Sequence, residues 1–316
     1  MTTSVLIVTY RAAEAAIDCL TSLTPVTKGA DPDADAEIIV VDNASGDGTA
    51  ERIAARFPQV TLIEAGENLG FARAVNLAAG HATGDVLVLL NPDTIVHDGA
   101  IGHLAGFARA NPDAGLVGGR TLTPAGELDP RSCWGAPSAW SMVCFATGLS
   151  MLFKRNRVLD PESLGRWERD SVREVGVVSG CLLAVRREVW DQLGGFDPSF
   201  FMYGEDVDLS LRAARLGYRP MITPRAVVTH IGGASSSVHV ERLVLLMKGK
   251  VSLVARHGPP AGRALLAAGV AVRAVASVAA GSRDKGWPAL WRRRREWLDG
   301  YPARRREHVL SGREVS

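Results

Sequence analysis

The chain has 316 residues, 47% of them hydrophobic, and a formal net charge of +2. That length and apolar content exclude a disordered protein and leave room for one large core, or a core domain with an attachment. The charge is uneven, because residues 282–316 hold ten Lys/Arg against five Asp/Glu, about +5 locally.

Four cysteines, Cys19, Cys133, Cys144 and Cys181, are scattered without a Cys-x-x-Cys or Cys/His cluster. They read as reduced core thiols of a cytosolic protein and argue against zinc. The first apolar run covers only residues 5–8, too short for a cleaved secretion signal.

From the N-terminus the pattern alternates. Val5-Leu6-Ile7-Val8-Thr9-Tyr10 reads as a strand, and residues 12–23 as a helix with Ile17, Leu20 and Leu23 at helical spacing. Residues 38–42 form a second strand. The turn-rich Asn43-Ala44-Ser45-Gly46-Asp47-Gly48-Thr49 opens a helix running to Phe57, with Pro58 beyond its end. Residues 60–63 are a short third strand and 72–81 a helix. The fourth strand, 86–90, is five apolar residues bounded by Gly84 and Pro92, as suits a strand covered on both faces. A helix over about 98–110 and a strand over 116–119 complete the series, which predicts a mostly parallel sheet with helices on both faces.

Residues 121–175 break the rhythm. They carry Pro124, Pro130, Pro137 and Pro161 and three of the seven tryptophans, and read as a long, partly helical insertion forming one wall of a cleft. Residues 177–185 read as a strand interrupted by Ser179-Gly180, followed by a short helix over 187–192. Phe200-Phe201-Met202-Tyr203-Gly204 leads into a helix from Glu205 to about Leu216, capped by Gly217. Residues 226–229 are another β-like run, ending in His230 ahead of Gly232-Gly233 and Ser235-Ser236-Ser237.

In open parallel sheets the ligand crevice lies outside the carboxyl ends of the strands. The second strand ends in Asp42 and the fourth in Asn91-Pro92-Asp93, which makes Asp93 a candidate metal ligand; alone, the same residues could simply form a turn. Glu205, Asp206 and Asp208 open a helix, where the macrodipole by itself favours carboxylates. Their aromatic approach points further, because carboxylates against such a wall lose solvation and act as bases near neutral pH. His230, at a strand end before a Gly/Ser segment, is a second candidate metal ligand. One His with Asp and phosphate oxygens suits Mg²⁺ or Mn²⁺ better than zinc.

Five motifs in order carry a family resemblance: Val8-Thr9-Tyr10, Val41-Asp42-Asn43 through Thr49, Glu67-Asn68-Leu69-Gly70-Phe71-Ala72-Arg73, Leu90-Asn91-Pro92-Asp93-Thr94, and Gly194-Gly195-Phe196-Asp197 through Gly204-Glu205-Asp206. Over residues 4–235 the chain resembles family 2 glycosyltransferases, and within them bacterial rhamnosyltransferases acting on lipid-linked wall or O-antigen precursors. The resemblance implies an inverting enzyme with the GT-A fold. It implies that Thr9 and Tyr10 line the base pocket, that Asp42 hydrogen-bonds the base, and that Asn68, Gly70 and Arg73 border the nucleotide or its diphosphate. Asn91 and Asp93 fall on the family's Asp-x-Asp position, with Asn91 replacing the first Asp and Asp93 holding Mg²⁺ or Mn²⁺ against the diphosphate. Asp206 falls on the catalytic base, with Glu205 beside it, and His230 falls where some relatives place a further metal ligand. The implied donor is dTDP-rhamnose and the implied acceptor a polyprenyl-diphosphate-linked saccharide. The alternatives are a UDP-sugar donor, hexosyl or galactofuranosyl, or a nucleotide-sugar-binding protein without turnover.

Residues 264–280 are small and apolar, but Arg273 in their middle makes a poor transmembrane helix, since a central arginine costs about 2.5–3.5 kcal/mol. Trp287, Trp291 and Trp297 around Arg292 to Arg295 suggest a segment lying on anionic lipid; a helical hairpin packed on the core is the competing reading. Basic residues confined to a tail, with no recognition module, argue against nucleic acid. The sequence thus predicts an α/β GT-A domain over residues 1–238, with a nucleotide half to about 120 and an acceptor half over 121–238. A basic helical attachment over 239–316 follows, and the protein is expected on the cytoplasmic face of a membrane, with oligomerisation left open.

Overall fold

Apolar runs with no polar face become the centre of the sheet. The computed structural model describes residues 2–23, 36–232, 239–281 and 285–302. In it β1 (Thr3–Thr9), β2 (Ala36–Asp42), β3 (Thr61–Glu64) and β4 (Val86–Leu90) stand in the order β3-β2-β1-β4, parallel throughout. They alternate with α1 (Ala13–Leu23), α2 (Thr49–Arg56) and α3 (Phe71–His81). β5 (Thr94–Val96), α4 (Ala100–Ala110) and β6 (Leu116–Leu122) follow. Among the described residues of this half, β5 and a single 3₁₀ turn over Pro112–Ala114 are additions to the expected elements.

The insertion contains β7 (Cys133–Trp134), α5 (Ala139–Thr147), α6 (Leu149–Leu152) and β8 (Arg173–Glu174). α5 begins on a capping box between Ser138 and Ser141 and ends on Gly148 at φ 80°. The interrupted strand splits at Ser179-Gly180. β9 (Val177–Val178) pairs with β7 in a separate small sheet, while β10 (Leu182–Arg186) runs antiparallel between β4 and β6. α7 (Arg187–Leu193), α8 (Glu205–Arg215) and β11 (Met221–His230) complete the domain, with β11 parallel to β6 and antiparallel to β5 and β8. Six of the nine strands in the main sheet point one way; β5, β8 and β10 oppose them.

Side chains of successive strand residues fall on opposite faces. Leu6, Ile39, Leu87 and Leu89 therefore join α3, α7 and α8 in one core, and Val5, Ile7, Val40 and Val88 join α1 and α4 in the other. A third core lies outside the sheet, among α9 (His239–His257), α10 (Gly262–Ala279), α11 (Gly286–Arg292) and α12 (Arg294–Trp297).

This third core corrects the lipid-facing reading of the tail at its centre. Trp297 is fully buried, and its indole Nε1 donates to the Leu290 carbonyl (3.0 Å); Trp287 and Trp291 pack half-buried on the same helices. Arg273 is buried too, donating to the carbonyls of Phe145 (2.6 Å) and Gly269 (3.1 Å) and to Ser150 Oγ (3.1 Å). Among the described residues α10 is the one helix long and apolar enough to cross a membrane. Nor do these helices stand apart from the sheet domain. Gly249 of α9 sits so close to the loop before α8 that a Cβ there would lie 2.0 Å from the Tyr203 carbonyl, and Tyr301 Oη donates to the Met202 carbonyl (2.6 Å). The boundary expected at 238, the Gly/Ser stretch past residue 232 and Arg304 to Arg306 lie outside the described residues.

Candidate active site

β5 brings Asp93 to His230. Thr94 is the register partner of His230, and the Ile231 N–H donates to the Asp93 carbonyl (2.9 Å), so a three-residue strand fixes two distant side chains on one wall. His230 Nε2 lies 3.3 Å from Asp93 Oδ1, and Nδ1 lies 3.3 Å from Asp129 Oδ2. Burial works against charge on the imidazole, but the bonds to Asp129 and Asp93 outweigh it and push its pKa up to about 9. Asp129 is itself buried. His230 and Arg131 nevertheless hold its carboxyl well below the usual range. Nothing local in the sequence marks Asp129, which the Asp129 N–H to Thr121 carbonyl bond (2.9 Å) brings beside β6.

The second group of acids lies at the start of α8. Asp206 is half-buried; its Oδ2 accepts from the Gly180 N–H (3.2 Å) and its Oδ1 from the Val207 N–H (2.8 Å). The Ser179-Gly180 break between β9 and β10 is thus the source of one of its donors. Glu205 is 5% exposed, and its Oε2 has no hydrogen-bond partner. Burial, then the charge of Asp206, push the Glu205 pKa up to about 8, which favours its neutral form beside Asp206. Burial raises Asp206 as well, and its backbone donors at Gly180 and Val207 oppose the rise.

These groups share one cavity of about 750 Å³, whose walls include Tyr10, Asn68, Asn91, Asp93, Glu205, Asp206 and His230. Thr9, Asp42, Gly70 and Arg73 are not part of its lining. Asp42 is buried with both carboxylate oxygens engaged by Ser45, through its N–H (3.0 Å) and hydroxyl (2.5 Å), and so shapes the 42–45 turn. Thr9 is fully buried with its hydroxyl unpartnered. Gly70 is a contact point: at φ 77° a Cβ would lie 2.4 Å from the Phe201 carbonyl, which accepts from the Phe71 N–H (2.7 Å). Arg73 reaches outward to Glu67 at 4.0 Å. Asn43, which sequence reasoning passed over in favour of Asp42, does line the cavity; its Nδ2 donates to Asn68 Oδ1 (3.0 Å), and its own Oδ1 accepts from the Leu69 N–H (2.9 Å).

Among the described residues no set of three or more His, Cys, Asp or Glu is placed to hold a metal ion unaided. Asp93 Oδ1 and His230 Nε2 offer two donors on the cavity wall, a hard oxygen and an imidazole nitrogen whose ring is fixed by Asp129. That incomplete set fits a cation whose remaining ligands come from a diphosphate.

The glycosyl transferase family 2 profile matches residues 4–165, half of the chain, and the glycosyl transferase family group 2 profile matches residues 161–254, running through α8 into α9. The N-acetylglucosaminyl-diphospho-decaprenol L-rhamnosyltransferase of Mycobacterium tuberculosis is 34% identical over 209 residues, which span 61% of this chain and 66% of that protein, just under two thirds of its length. The O-antigen biosynthesis protein RfbC of Myxococcus xanthus is 32% identical over 161 residues, 51% of this chain and 12% of that one. Among solved structures, the mannosyltransferase PcManGT of Pyrobaculum calidifontis, in complex with GDP-Man and Mn²⁺, superposes with a TM-score of 0.57 at 22% identity, covering 94% of this chain and 85% of that one. GalNAc-T7 with UDP, GalNAc and Mn²⁺ gives 0.55 at 18% identity, covering 84% and 51%. The fold is the GT-A fold of these transferases, and the chain belongs to glycosyl transferase family 2.

Proposed function

We propose that this chain transfers a sugar with inversion, L-rhamnose from dTDP-rhamnose, to a polyprenyl-diphosphate-linked acceptor. The observation that carries the reading is the single cavity, which joins the Asp93–His230 pair, the Glu205–Asp206 pair and an apolar wall of Met142, Phe145, Leu245 and Leu266. The 34% identity to an enzyme named for a lipid-diphosphate acceptor and L-rhamnose supports both substrate classes.

Tyr10, Asn43 and Asn68 form the end of the cavity that suits the nucleotide, and Thr9, Asp42 and Gly70 hold its walls in place. Asp93 and His230 would hold Mg²⁺ or Mn²⁺ against the donor diphosphate; when bound, the cation supplies charge neutralisation for the leaving group. For that ligation His230 would present Nε2 without its proton, while Nδ1 stays on Asp129. Asp206 takes the proton of the acceptor hydroxyl as that oxygen bonds to the anomeric carbon and the bond to the dTDP oxygen breaks. Neutral Glu205 keeps a second charge away from the base. One base and no carboxylate nucleophile give a single displacement.

The acceptor class also calls for contact with anionic membrane from the cytoplasmic side. With Trp297 internal, that contact is better served by α10 and the insertion, where Val272, Val275, Val278, Leu152, Phe153 and Val158 are exposed, than by the tryptophans. The exposed Arg292, Arg294 and Arg295 would meet anionic headgroups.

The purified protein with Mn²⁺ and a short polyprenyl-diphospho-N-acetylglucosamine should release dTDP from dTDP-rhamnose and form a rhamnosylated lipid. Release of UDP from a UDP-hexose or UDP-galactofuranose instead reassigns the donor, and no product from any of these donors rejects the reading.

A further inference from the structure

We infer that Arg242 and Lys250 hold the diphosphate of the lipid-linked acceptor, and that the apolar wall between α5, α9 and α10 takes its first prenyl units; this rests on the acceptor class proposed above. α9 turns one face to the cavity, with Arg242, Leu245, Leu246, Lys250, Leu253 and Val254 recurring every three to four residues. Two half-buried cations, with Glu241 at the helix start, thus interrupt an apolar stripe. Among the described residues neither has a carboxylate partner. Arg242 meets the Tyr203 hydroxyl, and the Lys250 ammonium lies 5.4 Å from the centre of the Phe145 ring. Arg273 stacks on the same ring at 3.8 Å, its guanidinium bonded to carbonyls and a hydroxyl. Of the nearby acids, Glu241 is engaged by Arg293 (2.6 Å) and Asp160 by the Arg155 N–H (2.8 Å), and Glu205 and Asp206 line the same cavity without an ion pair to either cation among the described residues. Positive charge held beside apolar surface without a direct ion pair is unfavourable, and a bound anion reduces that cost.

The position selects the anion. Arg242 touches Tyr203, three residues before Asp206, so an anion held there sits beside the base, on the acceptor side of the cavity and away from the donor diphosphate at Asp93. Arg242 and Lys250 start about 12 Å apart along the helix, and their long side chains converge on a diphosphate from two sides. Beyond them Met142, Phe145, Leu253, Val254 and Leu266 present apolar surface for the chain attached to that diphosphate.

The test titrates the full chain with farnesyl diphosphate under saturating dTDP and Mn²⁺, followed calorimetrically. Farnesyl diphosphate should bind, and Arg242→Gln and Lys250→Gln should each weaken it at least about tenfold while dTDP affinity stays within about twofold. Lys250→Arg should retain binding, and farnesol should bind at least about tenfold more weakly than its diphosphate. The proposal is overturned if farnesyl diphosphate fails to bind, if it competes with dTDP, or if both glutamine variants bind it as the parent does. The two readings separate cleanly. Rhamnosyl transfer with an unchanged acceptor KM in both variants sinks the site and leaves the function; variant-sensitive farnesyl diphosphate binding without transfer to any lipid diphosphate does the reverse.

Discussion

Replacing Glu205 by glutamine removes a buried carboxyl that the native state must keep protonated, and the consequence for stability has a definite sign. In the unfolded chain Glu205 ionises near its ordinary 4.5; in the folded protein burial and Asp206 push it to about 8. Below pH 4.5 both states carry the proton and the group has no effect on stability through ionisation. Between 4.5 and 8 the unfolded state alone ionises, so folding must bind a proton and native stability falls as pH rises. At about 1.4 kcal/mol per pKa unit, the parent should lose on the order of 3–5 kcal/mol across that window. Glutamine has the same shape and does not titrate, so the stability difference between variant and parent should move in the variant's favour from pH 5 to pH 8 and then level off. Urea melts of both proteins followed by tryptophan fluorescence at pH 5, 6, 7 and 8 measure it. His230, whose raised pKa also favours the native state at low pH, titrates in both proteins and cancels in the difference. A difference that is flat across the window would refute the assignment of Glu205 as the neutral member of the pair.

Asp206→Asn should abolish transfer while leaving donor affinity nearly intact; a rate above about a tenth of the parent's would move the base to Glu205. Asp93→Ala should remove the Mn²⁺ dependence of dTDP binding measured calorimetrically, and an unchanged dependence would break the strand-end argument. Asp129→Asn loosens the partner that fixes His230 Nδ1, so Mn²⁺ affinity in the presence of dTDP should fall about 10–100-fold; parental affinity would make Asp129 a purely structural residue. Trp297→Ala should cost about 3–5 kcal/mol of stability in urea melts, whereas a lipid-facing Trp297 would cost almost nothing in solution and reduce vesicle co-sedimentation instead.

The parallel half of the sheet was legible because period and punctuation agreed. Residues 86–90 were bounded by Gly84 and Pro92, and β4 occupies the same five positions. Glu205 and Asp206 were legible as helix-opening carboxylates behind an aromatic approach. What escaped reading depends on partners far away in sequence. β5 is three residues long and has no periodicity of its own; pairing with β11 creates it, and that pairing turns Asp93 and His230 from two candidates into one site. Asp42 shows a related dependence. Its strand-end place was legible, but the two bonds from Ser45, inside the same turn, that orient its carboxylate were not. The place of Trp297 was not legible because tryptophan flanked by arginine describes a lipid interface and a small helical core equally well until the packing partner is known. Trp297 has Leu290 seven residues earlier to bond and α9 to cover it.

The contact at Gly249 gives the C-terminal helices a role that composition alone did not suggest. Tyr203 adopts φ 66°, in the left-handed region disfavoured for a bulky side chain, immediately before Gly204 at φ 103° and the acids of α8. Something must hold that turn, and the surface against it is the backbone of α9, admitted only because residue 249 lacks a side chain. The Tyr301 hydroxyl on the Met202 carbonyl closes the same loop from the other side. α9 also carries Arg242 and Lys250 into the cavity and, through His257 Nε2, bonds Asp208 one half-turn past the base (2.7 Å). The helix that meets the acceptor is therefore the one that sets the geometry of the base. A methyl group at position 249 would push α9 off the Tyr203 turn and disturb acceptor contacts and proton transfer together, while the β5–β11 pairing that sets Asp93 beside His230 does not involve α9 residues.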